Sequence, residues 1–176
     1  EFRKKHSCEV FYASFHNNLF DKEYSEINFI GKGEVVDRLY ATYKLGWWFD
    51  DLSYHPRDCR EIPLQQTVTD ILGLDYKEIK PKMVIPDEPR RMEEPYVCIG
   101  IHGTSQCKYW NRKDGWQKIV DYLNEKGYKV VLISKEHSLG IEPFMNYPPE
   151  NIIDKTGDYS LEDRMVDLKH AEFYIG

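Results

Sequence analysis

The chain has 176 residues, 31% of them charged, and a formal net charge of −6. That length accommodates one domain with a sizeable core or two partial ones. The acidic balance excludes a global pull toward nucleic acid or anionic membrane, so phosphate recognition would have to come from a local site. No apolar run reaches the ~20 residues that span a bilayer, and no signal peptide is visible.

The opening residues Glu1–His6 read as the end of a helix. Cys8–Ser14 (CEVFYAS) and Ile27–Gly31 (INFIG) read as short strands separated by a polar, helix-compatible stretch. Tyr43–Trp48 predicts a further strand or an apolar loop. Ile62–Leu72 predicts a helix: Pro63 stands near its first position, Leu64, Val68, Ile71 and Leu72 share one face, and Gly73 follows as a stop. Pro81–Pro95 then holds four of the nine prolines among many charges, the composition of an exposed linker.

From Tyr96 the pattern alternates strand and helix. Tyr96–Ile101 is unbroken apolar sequence, which predicts a buried parallel strand. Asp114–Lys126 predicts a helix with Trp116, Ile119, Val120 and Leu123 on one face, Asp114 as its starting residue and Gly127 as its stop. Tyr128–Ser134 and Ile152–Ile153 read as strands. Ser160–Asp163 resembles a capping box opening a helix through Leu168, and Phe173–Ile175 begins another strand. This order predicts an α/β fold, a Rossmann-like half with right-handed crossovers. Both ends look interrupted, which predicts a piece of a longer protein.

Cys8, Cys59, Cys98 and Cys107 are widely spaced, with no C-x-x-C pair, so neither a zinc site nor a disulfide framework is indicated. Cys8 and Cys98 fall in apolar strands and read as reduced core residues, which suits a cytoplasmic setting. Aromatics make up 14%, with 13 Tyr and 4 Trp; packing on one side, and sugar stacking or a protein interface on the other, account for this equally well.

The most informative stretch is Ile99–Trp116 (IGIHGTSQCKYWNRKDGW). A strand runs into a glycine-containing loop that feeds a helix, and loop amides and a helix N-terminus both direct positive charge at one spot. Lys108 in that loop suits a diphosphate, whose leaving-group charge a fixed ammonium would stabilise. Thr104 and Ser105 supply hydroxyls that either donate to phosphate or close the turn. His102 is a phosphate contact, an acid/base or a structural imidazole. Trp110 and Trp116 read as packing anchors. Glu136, after the second strand, stands where Rossmann-like folds place a ribose-binding carboxylate. Neither G-x-G-x-x-G nor G-x-x-x-x-G-K-[ST] occurs, which weakens the dinucleotide oxidoreductase and P-loop readings. No G-x-S-x-G or H-E-x-x-H occurs either.

The run HGTSQCKYWNRKDGW resembles the start of the C-terminal domain of bacterial heptosyltransferases. With DYSLEDR and HAEFYIG, the SQCKYWN form is most similar to the branch that modifies autotransporter adhesins on serine. The resemblance covers most of Tyr96–Gly176 and, more loosely, Cys8–Met83. It implies a GT-B enzyme with two Rossmann-like halves, both incomplete here: residues 1–85 on the acceptor side, a linker at 86–95, and a donor-binding half at 96–176. It further implies an ADP-heptose donor, an adhesin acceptor, inversion at the anomeric carbon, and room for a homo-oligomer. Thr104 and Lys108 match the family's phosphate-contacting pair, and Glu136 lies near its ribose contact. The general base and the small-residue diphosphate loop match no residue of this chain. The branch also carries a cysteine-ligated iron; the cysteines here lack ligand spacing, so no cofactor is assigned. Two other readings stay open: a non-catalytic nucleotide- or phosphosugar-binding module, and a scaffold whose aromatic surface binds a protein.

Overall fold

The computed structural model describes residues 1–46, 57–58, 60–103, 105–110, 112–142 and 145–176. They divide into two compact units, Glu1–Val84 and Ile85–Gly176.

In the first unit a short helix, α1 (Phe2–His6), precedes two parallel strands, β1 (Phe11–Ala13) and β2 (Asn28–Ile30), with Tyr12 opposite Phe29. Parallel strands need a crossover connection rather than a tight hairpin, and this one contains a 3₁₀ turn at Asn17–Leu19. Asn17 secures it twice. Its carboxamide oxygen accepts from the Ser14 N–H at 3.0 Å, and its Nδ2 donates to the Ile30 carbonyl at 2.6 Å.

Helix α2 (Leu64–Ile71) has Pro63 as its N-cap, and Gly73 follows it with φ +61°. Its expected apolar face is displaced: Thr67 is the residue it buries, and Leu64, one turn earlier, is exposed. Cys8 also departs from expectation. It lies before β1, half-buried, and every residue of β1 is exposed. A two-stranded sheet has too little area to enclose a core. Tyr43–Gly46 is neither helix nor strand, and Trp47 and Trp48 lie outside the described residues.

The second unit is built on β3 (Tyr96–Ile99), β4 (Lys129–Leu132), β5 (Ile153–Asp154) and β6 (Tyr174–Ile175), all parallel, in the order β5-β4-β3-β6. All four residues of β3 are buried. Alternation along a strand sends successive side chains to opposite faces, and both faces are occupied. Val97 and Ile99 cluster with Val130, Leu132 and with Val120 and Leu123 of α3 (Gly115–Glu125). On the other face, the Tyr96 hydroxyl donates to the Asp167 carbonyl at 2.7 Å, and Asp167 belongs to α4 (Leu161–His170). Each fully buried aliphatic side chain contributes about 2 kcal/mol.

Both helices start where expected, by different means. At α4 the Ser160 hydroxyl accepts from the Asp163 N–H at 3.0 Å, while the Asp163 carboxylate accepts from the Ser160 N–H at 3.3 Å. This is a reciprocal capping box. At α3 the N-cap Asp114 takes left-handed backbone angles, φ +54°, and its side chain makes no cap hydrogen bond. The glycine that ends α3, Gly127, has φ +85° and supplies the left-handed stop. Residues 86–95 form no helix or strand, yet α4 holds them. Lys169 Nζ donates to the Pro86 carbonyl at 3.0 Å, the His170 imidazole to the Glu88 carbonyl at 2.9 Å, and Arg91 pairs with Asp163 at 2.5 Å. Below α4 lies an enclosed ion pair, Lys155 with Asp167 at 2.7 Å, the side chains 15% and 3% exposed.

Candidate active site

In sequence β3, β4 and β5 step across the sheet in one direction, and β6 then returns to the far side of β3. The order therefore reverses between β3 and β6. In open parallel sheets, ligands bind in the crevice at such a reversal, beyond the carboxyl ends of the strands. The residues leaving β3 at that end are Gly100 onward, the loop singled out from sequence.

Gly100 begins the loop, and a Cβ there would fall on the Tyr174 hydroxyl of β6, so a larger residue would require that side chain to move. At Gly103 an added Cβ would lie 3.3 Å from Lys108 Cβ, so the loop folds back over a 3₁₀ turn at Gln106–Lys108. The Lys108 N–H donates to the Ser105 carbonyl at 3.0 Å, closing that turn. The Ser105 hydroxyl lies 3.1 Å from Cys107 Sγ. Ser105, Cys107 and Lys108 are all exposed. Thr104 lies outside the described residues.

His102 faces the neighbouring loop. Its Nε2 is 3.3 Å from the His137 carbonyl, and its Nδ1 is buried with no hydrogen-bond partner among the described residues. A ring nitrogen facing a carbonyl donates to it, so Nε2 carries a proton here. His137 in turn sets Nδ1 against Asp154 Oδ2 at 2.7 Å. Burial works against the charge on Asp154, but the Thr156 backbone N–H, its hydroxyl and the His137 imidazole outweigh it and hold the carboxyl below its usual range. The loops after β3 and β4 and the end of β5 are thus linked through His102, His137 and Asp154. Glu136 is exposed beside His137 in the middle loop. The structure therefore carries His102, Ser105 and Lys108 on one loop and Glu136 on its neighbour, at the same end of the sheet.

A cleft of about 440 Å³ adjoins the first loop, lined by Trp110, Arg112, Lys113, Trp116, Asn146 and Tyr147 among others. Trp110 and Trp116 stack edge to face, centroids 5.5 Å apart. Trp116 also packs on the buried cluster beneath α3, whereas Trp110 is 44% exposed and so only partly an anchor. Gly115 lets the ring approach closely, since an added Cβ would lie 2.9 Å from the Trp110 ring and oblige it to shift. A larger cleft of about 750 Å³ lies around Tyr128, Lys129 and Asn151. It opens where β4 begins, the wrong end of the strands for a ligand.

His137, Asp154 and Arg164 were not singled out in the sequence. Arg164 alone left a trace there: it is a cation in the first turn of α4, where the helix dipole disfavours one. Its partners are four backbone carbonyls from the loops after β4 and β5.

Among the described residues no three His, Cys, Asp or Glu side chains converge on a point. Cys98 is buried, and that burial, reinforced by the charge of Asp167, pushes its thiol up to about 12. Cys107 is exposed beside Ser105, and Cys8 belongs to the first unit. Cys59 lies outside the described residues.

No protein-family model matches the chain. Individual relatives do. The chain is 34% identical to the autotransporter heptosyltransferase Aah of Escherichia coli over 180 aligned residues, covering 100% of the chain and 46% of Aah. It is 30% identical to the inactive autotransporter heptosyltransferase BimC of Burkholderia thailandensis over 62% of the chain and 27% of BimC. Among solved structures it matches the iron-containing dodecameric glycosyltransferase TibC of enterotoxigenic E. coli H10407, with a TM-score of 0.91 and 32% identity over 99% of this chain and 47% of TibC. A second TibC structure, in complex with ADP-D-beta-D-heptose, matches equally well at a TM-score of 0.91. The chain spans about half the length of Aah and TibC. Its parallel α/β architecture is part of a GT-B-like glycosyltransferase fold, and by sequence and structure together the chain is a relative of the autotransporter heptosyltransferases.

Proposed function

We propose that the intact protein transfers heptose from ADP-heptose to a hydroxyl of a protein acceptor, a serine of an autotransporter adhesin, with inversion at the anomeric carbon. The observation that carries this reading is the loop Gly100–Asp114 at the strand-order reversal. It lies in a unit whose fold matches a protein solved with ADP-D-beta-D-heptose bound. In this reading Lys108 is the catalytic cation, and Thr104, Ser105 and His102 share the donor's phosphates with it. A diphosphate leaving group gains charge as the glycosidic bond breaks, and a cation already in place favours that transition state. Glu136 binds the ribose hydroxyls. The acceptor's proton needs a base, and no residue of this chain is assigned to that role.

The dodecameric state named for TibC supports a homo-oligomer here, and the free thiols of Cys8, Cys98 and Cys107 support a cytoplasmic setting. No described helix is long and apolar enough to cross a membrane.

The test is incubation of the intact protein with ADP-heptose and an adhesin peptide, followed by mass analysis of the peptide. A heptose increment on serine is expected, and an unmodified peptide overturns transfer. Lys108→Ala should weaken ADP binding about tenfold by calorimetry; unchanged affinity would remove Lys108 from the site. The relative named inactive, BimC, gives one alternative a specific basis: a nucleotide-binding module without catalysis. That alternative binds ADP and leaves the peptide unmodified, whereas a protein-binding scaffold binds no ADP at all.

A further inference from the structure

Arg164 is the fourth residue of α4, and every hydrogen bond it makes goes to a backbone carbonyl. Nη1 donates to the Ile133 carbonyl, to Ser134 O at 3.2 Å and to Lys155 O at 3.3 Å, and Nη2 donates to Gly157 O at 2.8 Å. Among the described ion pairs none involves Arg164. Two of these carbonyls follow β4 and two follow β5. The two loops meet directly as well, through the Gly157 N–H to the Lys135 carbonyl at 2.7 Å. Lys135 is the residue before Glu136.

The chemistry of the fork explains why an arginine stands there. A planar guanidinium presents up to five donors in fixed directions, so one side chain can hold carbonyls from two segments at once; an ammonium acts as a single point. Arg164 occupies four carbonyls just beyond the ends of β4 and β5, and among the described residues no carboxylate pairs with its charge. The unfavourable position near the helix N-terminus is offset by these bonds, each made by a charged donor to a carbonyl oxygen.

We propose that Arg164 is a positioning residue of the nucleotide site, clamping the loops after β4 and β5 so that Glu136 is held in place for the ribose of a nucleoside diphosphate. This rests on the donor-binding reading above. Arg164 touches no ligand itself; it acts through the two loops.

The experiment is calorimetric titration of ADP into the intact protein and its Arg164→Lys and Arg164→Ala variants. Thermal unfolding and amide exchange at Gly157 are followed in parallel. Arg164→Lys should keep the wild-type unfolding transition within a few degrees, bind ADP about tenfold more weakly, and exchange faster at Gly157, because small displacements at a preorganised site are costly. Arg164→Ala should lose at least as much affinity and recover part of it in millimolar guanidinium. A folded Arg164→Lys protein with wild-type ADP affinity and wild-type exchange overturns the proposal. So does a loss of affinity that merely follows loss of folded protein and is not rescued by guanidinium. If the wild-type protein binds no ADP, the donor-binding reading fails, and the proposal fails with it; that outcome is told apart because it requires no variant.

Discussion

The two parallel sheets of this protein differ in what covers them. In β3 all four residues are buried, while in β1 all three are exposed. The sheet containing β3 carries α3 on one face and α4 on the other, so side chains of both parities find apolar neighbours. The β1–β2 pair is held by backbone pairing and by the aromatic contact of Tyr12 with Phe29, 5.8 Å between centroids. Among the described residues of the first unit, Thr67 alone is buried. The lesson concerns sites as well as cores. Loops that leave a sheet enclosed on both faces start from fixed points, and a binding constellation needs such fixed points. The candidate site residues all leave the enclosed sheet.

The sharpest way to break this comparison is to remove matched volume from each sheet. Ile99→Ala should cost about 4 kcal/mol, the cost of a cavity in a closed core, whereas Phe11→Ala should cost about 1 kcal/mol because its ring already meets solvent. Urea unfolding, read by amide exchange in β3 and in β1 separately, measures both. Equal losses would show that the first unit has a core of comparable quality.

A somewhat smaller effect should follow from Asp167→Asn. That change leaves the Lys155 ammonium enclosed beneath α4 without its counter-charge, at a cost of about 3 kcal/mol. A double variant, Lys155→Met with Asp167→Leu, should recover most of the loss, because the desolvation penalty goes with the charges. If the double variant is as unstable as the single one, the pair is not what holds α4 against the sheet.

The smallest effect lies at the start of α4. Ser160→Ala should cost about 1 kcal/mol at neutral pH through loss of the capping box. The Asp163 carboxyl is held below its usual value first by the Ser160 hydroxyl and then by Arg91. A carboxyl lowered in the folded state contributes its stability above the unfolded value of about 3.9 and loses it as the pH falls through the folded value. The difference between wild type and Ser160→Ala should therefore shrink below about pH 4. A difference that stays constant down to pH 2 would detach the cap from the charge of Asp163.

How much of this was legible in the sequence depended on how local each cause was. The strand Tyr96–Ile99 could be read because a run of apolar residues without alternation has few other uses. The start of α4 could be read because Ser160 and Asp163 interact across three residues. Lys108 and Ser105 could be placed on a turn after a strand for the same reason. Asp114 is the helix start that its position predicts, but its left-handed backbone and the absence of a cap bond from its side chain leave no local trace in the sequence. Cys8 does not become core, because an apolar stretch is buried only if something covers it. His137 and Asp154 left no pattern at all: they are 17 residues apart and meet because β4 and β5 are neighbours.

The sequence by itself determined the alternation of strand and helix in the second unit, the capping of α4, and the loop in which an anion site should be sought. These depend on residues within a turn or two of one another, whose interactions survive in any tertiary setting. Only the tertiary structure decided that the order of strands reverses beside that loop, that His102 and Glu136 lie on adjacent loops, and that Arg164 joins the ends of β4 and β5. Each of those depends on which strand pairs with which. That choice is made by the burial of both sheet faces at once, and no short stretch of the chain carries it.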